Sequence, residues 1–277
     1  MFIIAVLLTE IDFQGGKSLP ETGRINCVGR SRVPENWQFS RYKGINRLYY
    51  IESDGGAYME NGVKHNFTCG HIYFFPYTAE YDPVRPDCVG MMHTYADFEL
   101  IPPVIHSMVI ELSPPFDPLV KAALGVFTAA GDYYGKAKSK GGETVPVTGE
   151  WAKLSRTAIA FLADRAAKSV GAAEISDSVV IKSLEIMNRR MGEKITVSGI
   201  AAECFMTTDS FIRRFTRTIG ATPYSYLKNL RLRTALYLRS SGKSLDETAA
   251  ETGYSDSSAL LHAMKGKWFV ESKTHGV

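Results

Sequence analysis

The sequence predicts an α+β protein: a strand-rich N-terminal half forming a small barrel or sandwich, and an all-helical C-terminal half with two helix-turn-helix units. Three observations carry this. Residues 46–112 contain short β-branched and aromatic runs broken by turn residues. Residues 178–265 contain apolar residues at helical spacing, with cap and stop residues at the ends of each run. The charge divides the same way. Residues 189–243 hold 11 Lys and Arg against 3 Asp and Glu, whereas residues 1–188 hold 18 against 21. A basic excess on a helical segment is what phosphate contacts require, and a solvated basic face has the same composition.

In chain order, 277 residues at 45% hydrophobic are enough for a sizeable core and two domains. The opening run of residues 1–8 reads as a strand or docking arm. It lacks a basic leader, Glu10 and Asp12 follow at once, and it is far short of the roughly 20 residues of a membrane helix. Cys27, Cys69, Cys88 and Cys204 show no CxxC pair or zinc spacing, which predicts reduced thiols in a cytoplasmic protein. Residues 11–46, rich in Gly, Pro, Ser and Arg, predict an extended, partly irregular arm. Strands are predicted over 47–52, 57–60, 63–67, 71–75, 90–98 and 105–112. Asn61-Gly62 joins two of them as a hairpin turn. Tyr49, Phe75, Tyr77, Tyr81, His93 and Phe98 are candidates for a ligand cavity, with plain core aromatics as the alternative.

Asp117 caps a predicted helix over 119–130, with Pro118 in its first turn. Residues 131–149 read as a Gly- and Lys-rich loop without the order of a phosphate-binding loop. A helix is predicted over 150–168 and a linker over 169–177. The expected plan is thus 1–135, then 136–177 as loop, helix and linker, then 178–277. The last part divides into a first unit (178–222), a connecting helix (223–239) and a second unit (244–277) with an atypical ending.

The C-terminal half is the most informative. Val180, Leu184, Met187 and Met191 share one helical face. Ile200, Ala201 and Ala202 give the next helix a small apolar face. Thr207 or Thr208 caps a further helix anchored by Phe211 and Phe215, and Gly220 ends it. Thr222-Pro223 starts the connecting helix, which is apolar on two sides. Ser244 and Glu247 stand at capping-box spacing, and Gly253 makes the second turn.

The ordered set Ile200-Ala201, Phe211-x-Arg213-x-Phe215, Gly220-x-x-Pro223-x-x-Tyr226, Arg231-Leu232-x-x-Ala235, Ser244-Leu245-x-Glu247-x-Ala249 and Gly253-Tyr254-x-Asp256-x-Ser258 resembles the AraC/XylS family of transcription regulators over residues 178–265. Residues 47–62 and 69–76 resemble, more loosely, the cupin-like sensing domain common in that family. The resemblance implies sequence-specific binding of double-stranded DNA, a small-molecule effector, a homodimer and contact with RNA polymerase. It implies no membrane partner and no enzyme activity. The His, Glu and His order of cupin metal sites is missing around His65, His71 and His93, so no catalytic residue, metal or cofactor is expected. It implies DNA-facing positions at Asp209, Ile212, Arg213, Thr216 and Arg217, with Arg214 and Arg217 toward phosphate. In the second unit they fall on Ala259, Leu261 and His262, where the family's usual arginine is a histidine. After Lys265 the usual closing segment is replaced by GKWFVESKTHGV. That departure keeps open the alternative of a truncated or defective regulator. A cupin-type enzyme is the further alternative, and it lacks a ligand cluster.

Overall fold

The computed structural model describes residues 21–35, 46–101, 103–139, 149–172, 175–240 and 242–273. Expectations for residues 1–20 and 36–45, for 140–148, and for the last four residues lie outside the described residues. So do those for the side chains of Trp268 and Phe269. Contacts divide the chain into two compact units that meet between Ile175 and Ser176.

The first unit contains β1 (Glu21–Arg32), β2 (Asn46–Ile51), β3 (Ala57–Glu60), β4 (Val63–Asn66), β5 (Ile72–Phe75), β6 (Asp82–Pro83), the short α1 (Arg85–Cys88), β7 (Met92–Ile101) and β8 (Ile110–Leu112). The helices α2 (Pro118–Ser139) and α3 (Gly149–Ser169) follow. Five strands form an antiparallel sheet in the order β1-β7-β2-β5-β8, and three form a second sheet in the order β4-β3-β6. The architecture is therefore a two-sheet sandwich with helices on one side. Asn61 (φ 50) and Gly62 (φ 78) make the predicted hairpin turn, because two consecutive left-handed residues match the twist of the flanking strands.

The five-stranded sheet buries both faces, and the period of two sorts its residues between them. Leu48, Ile72, Phe74, Ala96, Phe98 and Leu100 face a core shared with α2 and α3. Tyr49, Ile51, Tyr73 and Phe75 point the other way, into a core closed by Tyr58, Phe67, Cys88 and Met91.

Two sequence expectations need correction here. Residues 21–32, expected within an irregular arm, form a 12-residue strand paired along β7. Its interruptions are bulges between Thr22 and Arg24 and between Ile25 and Cys27, which break the alternation that would have revealed it. Residues 131–139, expected as loop, continue α2. Their glycines permit close helix–sheet contact rather than a turn. A Cβ on Gly131 would meet Arg30 Cβ and Thr94 Cγ2 at 3.0 Å. Asp132, on the same helix, reaches Arg30, which also holds Glu52.

The second unit consists of α4 (Ser178–Arg190), α5 (Val197–Glu203), α6 (Thr208–Ile219), α7 (Pro223–Ser240), α8 (Leu245–Thr252) and α9 (Ser257–Lys273). Asp177 caps α4 through the amides of Val179 and Val180 at 3.1 and 3.2 Å. Thr196 caps α5 and Thr207 caps α6. Ser244 and Glu247 make the reciprocal capping box of α8. Ile200 and Ala201 are buried, while Ala202 is exposed and lies off the apolar face expected for it. The last helix passes the expected end at Lys265 and runs on to Lys273. Among the described residues, no helix is long and apolar enough to cross a membrane. None of their His, Cys, Asp and Glu side chains gather into a group able to hold a metal ion.

Candidate nucleic-acid interface

The first reader is built from its caps inward. The Thr207 hydroxyl accepts from the Ser210 amide and fixes the start of α6. Gly220, at φ 77, ends the helix by donating its N–H to the Thr216 carbonyl. Between these ends, Phe211, Phe215 and Ile219 are fully buried. Phe215 meets Tyr226 of α7 edge-on at 5.7 Å. This anchoring turns the opposite side outward. Asp209, Arg213 and Arg217 are exposed along it, with Ile212 and Thr216 half-buried beside them. Five of the sequence-predicted positions therefore share one face. Among the described residues, no carboxylate pairs with Arg213 or Arg217, so neither guanidinium is committed to an internal ion pair.

Arg214 is different. Its Nε donates to Asp177 Oδ2 at 2.7 Å, joining the reading helix to the cap of α4. Burial opposes ionisation of Asp177. The Arg214 hydrogen bond and the amides of Val180 and Val179 outweigh it, and hold the carboxyl below the usual range. The pair's contribution is thus complete above the ordinary carboxylate pKa and is lost as pH falls through the lower folded-state value. Both side chains are partly exposed, so a double-mutant cycle with Asp177→Asn and Arg214→Ala should give a coupling of about 1 kcal/mol, fading in acid. In salt titrations of DNA binding, Arg217→Ala should flatten the slope by about one and Arg214→Ala by less. Equal flattening by the two would support the expected phosphate contact of Arg214 despite its pairing with Asp177.

The second unit repeats the plan. Asp256 Oδ1 accepts from the Ala259 amide at 2.7 Å, and Leu260 is the fully buried anchor of α9. Leu260 packs with Ala235 and Ala249, and Met264, Leu245 and Tyr254 border this small core. Leu261 and His262 are exposed, whereas Ala259 is half-buried. Ala259 thus stands beside the outward face, with its amide on the cap.

A residue whose structural role the sequence did not reveal joins the two lobes. Arg231 of α7 donates to the Met191 carbonyl at 2.8 Å and to the Glu193 carbonyl at 2.6 Å, capping the end of α4. Its guanidinium also lies against the turn at Gly253. The motif position was visible in the sequence, but two carbonyls at a helix end leave no sequence signal.

The candidate effector residues of the first unit do not all line one space. Tyr49, Phe75 and Tyr81 lie in the core between the sheets, with His93 beside Tyr49. Phe98 faces the helices and stacks on Phe74. Tyr77 is half-buried, and its amide donates to Asn46 Oδ1 at 3.0 Å. Sequence reading also missed a charged pair on the inter-sheet face. Arg47 grips Asp97 through two nitrogens at 2.5 and 2.7 Å and reaches the Tyr81 hydroxyl at 3.2 Å. Arg47 and Tyr49 stand at period-two spacing, the one signal that could have placed the arginine inside. Burial lowers the His93 pKa to about 4. The ring is therefore neutral at pH 7, and its Nδ1 has no hydrogen-bond partner among the described residues.

Comparison with known proteins adds three findings. A family profile described as a helix-turn-helix domain matches residues 200–269. A putative AraC-like transcription regulator of Streptomyces antibioticus is 32% identical over 94 residues, or 34% of this chain. The match spans only 31% of that relative's length. The structure is also similar to ToxT of Vibrio cholerae, with a TM-score of 0.52 and 8% identity over 87% of this chain and 90% of that one. A second structure of that protein, with an unsaturated fatty acid bound, gives a TM-score of 0.51 at 8% identity, covering 90% of this chain and 88% of that one. At such identity the likeness to ToxT concerns the fold alone.

Proposed function

We propose that the C-terminal unit is a helix-turn-helix domain of the AraC type, and that the chain is a transcription regulator that binds duplex DNA in sequence-specific fashion. The observation that carries this reading is the outward face of α6. It presents Asp209, Arg213 and Arg217 together, with Ile212 and Thr216 half-buried beside them, and among the described residues no carboxylate pairs with Arg213 or Arg217. A guanidinium in the major groove can give two parallel hydrogen bonds to guanine O6 and N7, while Arg217 on the flank suits phosphate. No residue is given a catalytic role. The chain acts in the cytoplasm as a homodimer and engages RNA polymerase when bound.

The N-terminal sandwich is the sensing unit in this reading. Its inter-sheet core combines aromatic rings with the Arg47–Asp97 pair and the neutral His93, an apolar interior with a few polar groups. The Vibrio protein of similar overall fold has been solved with an unsaturated fatty acid bound. A small molecule changes output here only to the extent that it favours one state of the chain over another.

The test is a salt series of binding by the full chain. The probes are a duplex enriched by that chain from a random-sequence pool and a scrambled duplex of equal composition. A preference that persists as salt weakens both affinities supports the reading. Equal, steeply salt-dependent binding to both would leave a basic domain without sequence recognition, which is the defective-regulator alternative.

A further inference from the structure

The two helix-turn-helix units repeat the same backbone pattern at their turns. The Met206 amide donates to the Ala201 carbonyl at 2.9 Å, and the Tyr254 amide to the Ala249 carbonyl at 3.0 Å. Just before each of these amides stands a left-handed residue, Phe205 at φ 57 and Gly253 at φ 72. The caps Thr207 and Asp256 follow, the second turn being one residue longer, and four residues later come the buried anchors Phe211 and Leu260. From the anchors on, Ile212 matches Leu261, Arg213 matches His262 and Thr216 matches Lys265. Counting backward, Asp209 matches Ser258.

This correspondence sets two different chemistries on one geometry. The outward positions of α6 carry a carboxylate and a guanidinium, with the half-buried side chain of Ile212 between them. Those of α9 carry a hydroxyl, an isobutyl group and an imidazole, with Lys265 one turn on; all four of these residues are exposed. No side chain among Ser258, Leu261 and His262 forms the paired hydrogen bonds that arginine or an amide makes with a base edge. Leu261 is 37% exposed although its neighbour Leu260 is fully buried, so it stands outside the core rather than serving it. The distinctive apolar feature of the major groove is the C5 methyl of thymine. A leucine at the centre of a reading face gains by covering that methyl and loses by covering a cytosine at the same place.

Resting on the DNA-reading function above, we propose that α9 recognises thymine through Leu261. The bound sequence is then read by hydrogen bonds in the half that meets α6 and by apolar contact in the half that meets α9. Lys265 holds a phosphate beside it, and His262 contributes at most one hydrogen bond where Arg213 contributes two.

The test replaces each thymine of the enriched duplex in turn by deoxyuridine, which keeps the pairing and removes only the methyl. The full-length wild type is compared with Leu261→Ala and, as a control for the first reader, Ile212→Ala. Leu261 is partly exposed, so a melting curve of Leu261→Ala should coincide with that of the wild type, which checks that the fold is kept. At one or two thymines the wild type should bind about fourfold more weakly without the methyl. Leu261→Ala should be indifferent to that change, while Ile212→Ala should still feel it. Indifference of the wild type at every thymine, with sequence preference retained, would overturn the inference and leave the regulator reading standing. So would a methyl effect that survives in Leu261→Ala. Loss of all sequence preference in the wild type would remove both.

Discussion

Arg213→Ala should weaken binding to the preferred duplex by about 5- to 150-fold, the equivalent of about 1–3 kcal/mol of lost discrimination. Binding to a scrambled duplex should fall much less, because only one cation is lost there. The expectation rests on three features. Phe211 and Phe215 fix the roll of α6, so the Arg213 side chain has a defined exit from the unit. The residue is exposed, and among the described residues no carboxylate competes for it. Its neighbour Arg214, identical in chemistry, is already held by Asp177 and serves as the internal control. Competition binding at fixed salt measures the effect. A uniform loss on both duplexes would demote Arg213 to a phosphate contact. Arg213→Lys should recover the charge and much of the non-specific affinity but not the paired hydrogen bonds.

The helical half was legible because its signals are local. Caps such as Thr196, Thr207 and Ser244 stand next to the turns they close, and the spacing of Phe211 and Phe215 is the spacing of one helix face. The shared outward side of Asp209, Arg213 and Arg217, proposed as the reading face, follows from the same spacing. What stayed hidden depends on partners distant in sequence. The partner of Arg214 lies 37 residues away, at a position that reads as linker. Arg231 spends its guanidinium on carbonyls, which carry no sequence signature. The strand at 21–32 was hidden by its bulges, and α2 past residue 130 by glycines whose purpose is close packing. Phe98 was grouped with Tyr49 by its aromatic ring, although its place in β7 turns it to the other face of the sheet. Composition cannot report parity; a strand register can.

Gly253→Ala should destabilise the C-terminal unit by about 3 kcal/mol, adding a left-handed backbone strain of about 1–2 kcal/mol to a packing clash of comparable size. The contrast with Phe205 supplies the argument. Both residues occupy the left-handed turn of a helix-turn-helix unit. Phe205 is 91% exposed, so the first turn is open and accepts even a phenylalanine at the cost of its φ alone. The second turn is closed. A Cβ on Gly253 would stand 2.5 Å from the Met191 carbonyl oxygen and 2.9 Å from the Arg231 guanidinium carbon. Neither neighbour can yield freely, since Arg231 is bonded to that same carbonyl. The turn, the end of α4 and the connecting helix meet at this point. The substitution therefore attacks the joint that sets α8 and α9 against the rest of the unit. Urea unfolding followed by circular dichroism measures the loss. DNA binding should fall in parallel, by more than Leu261→Ala alone produces, because the whole second reader is displaced rather than one contact removed. A Gly253→Ala protein with wild-type stability and full affinity would show that the joint yields, and that the two readers are less firmly coupled than the Arg231 contacts imply.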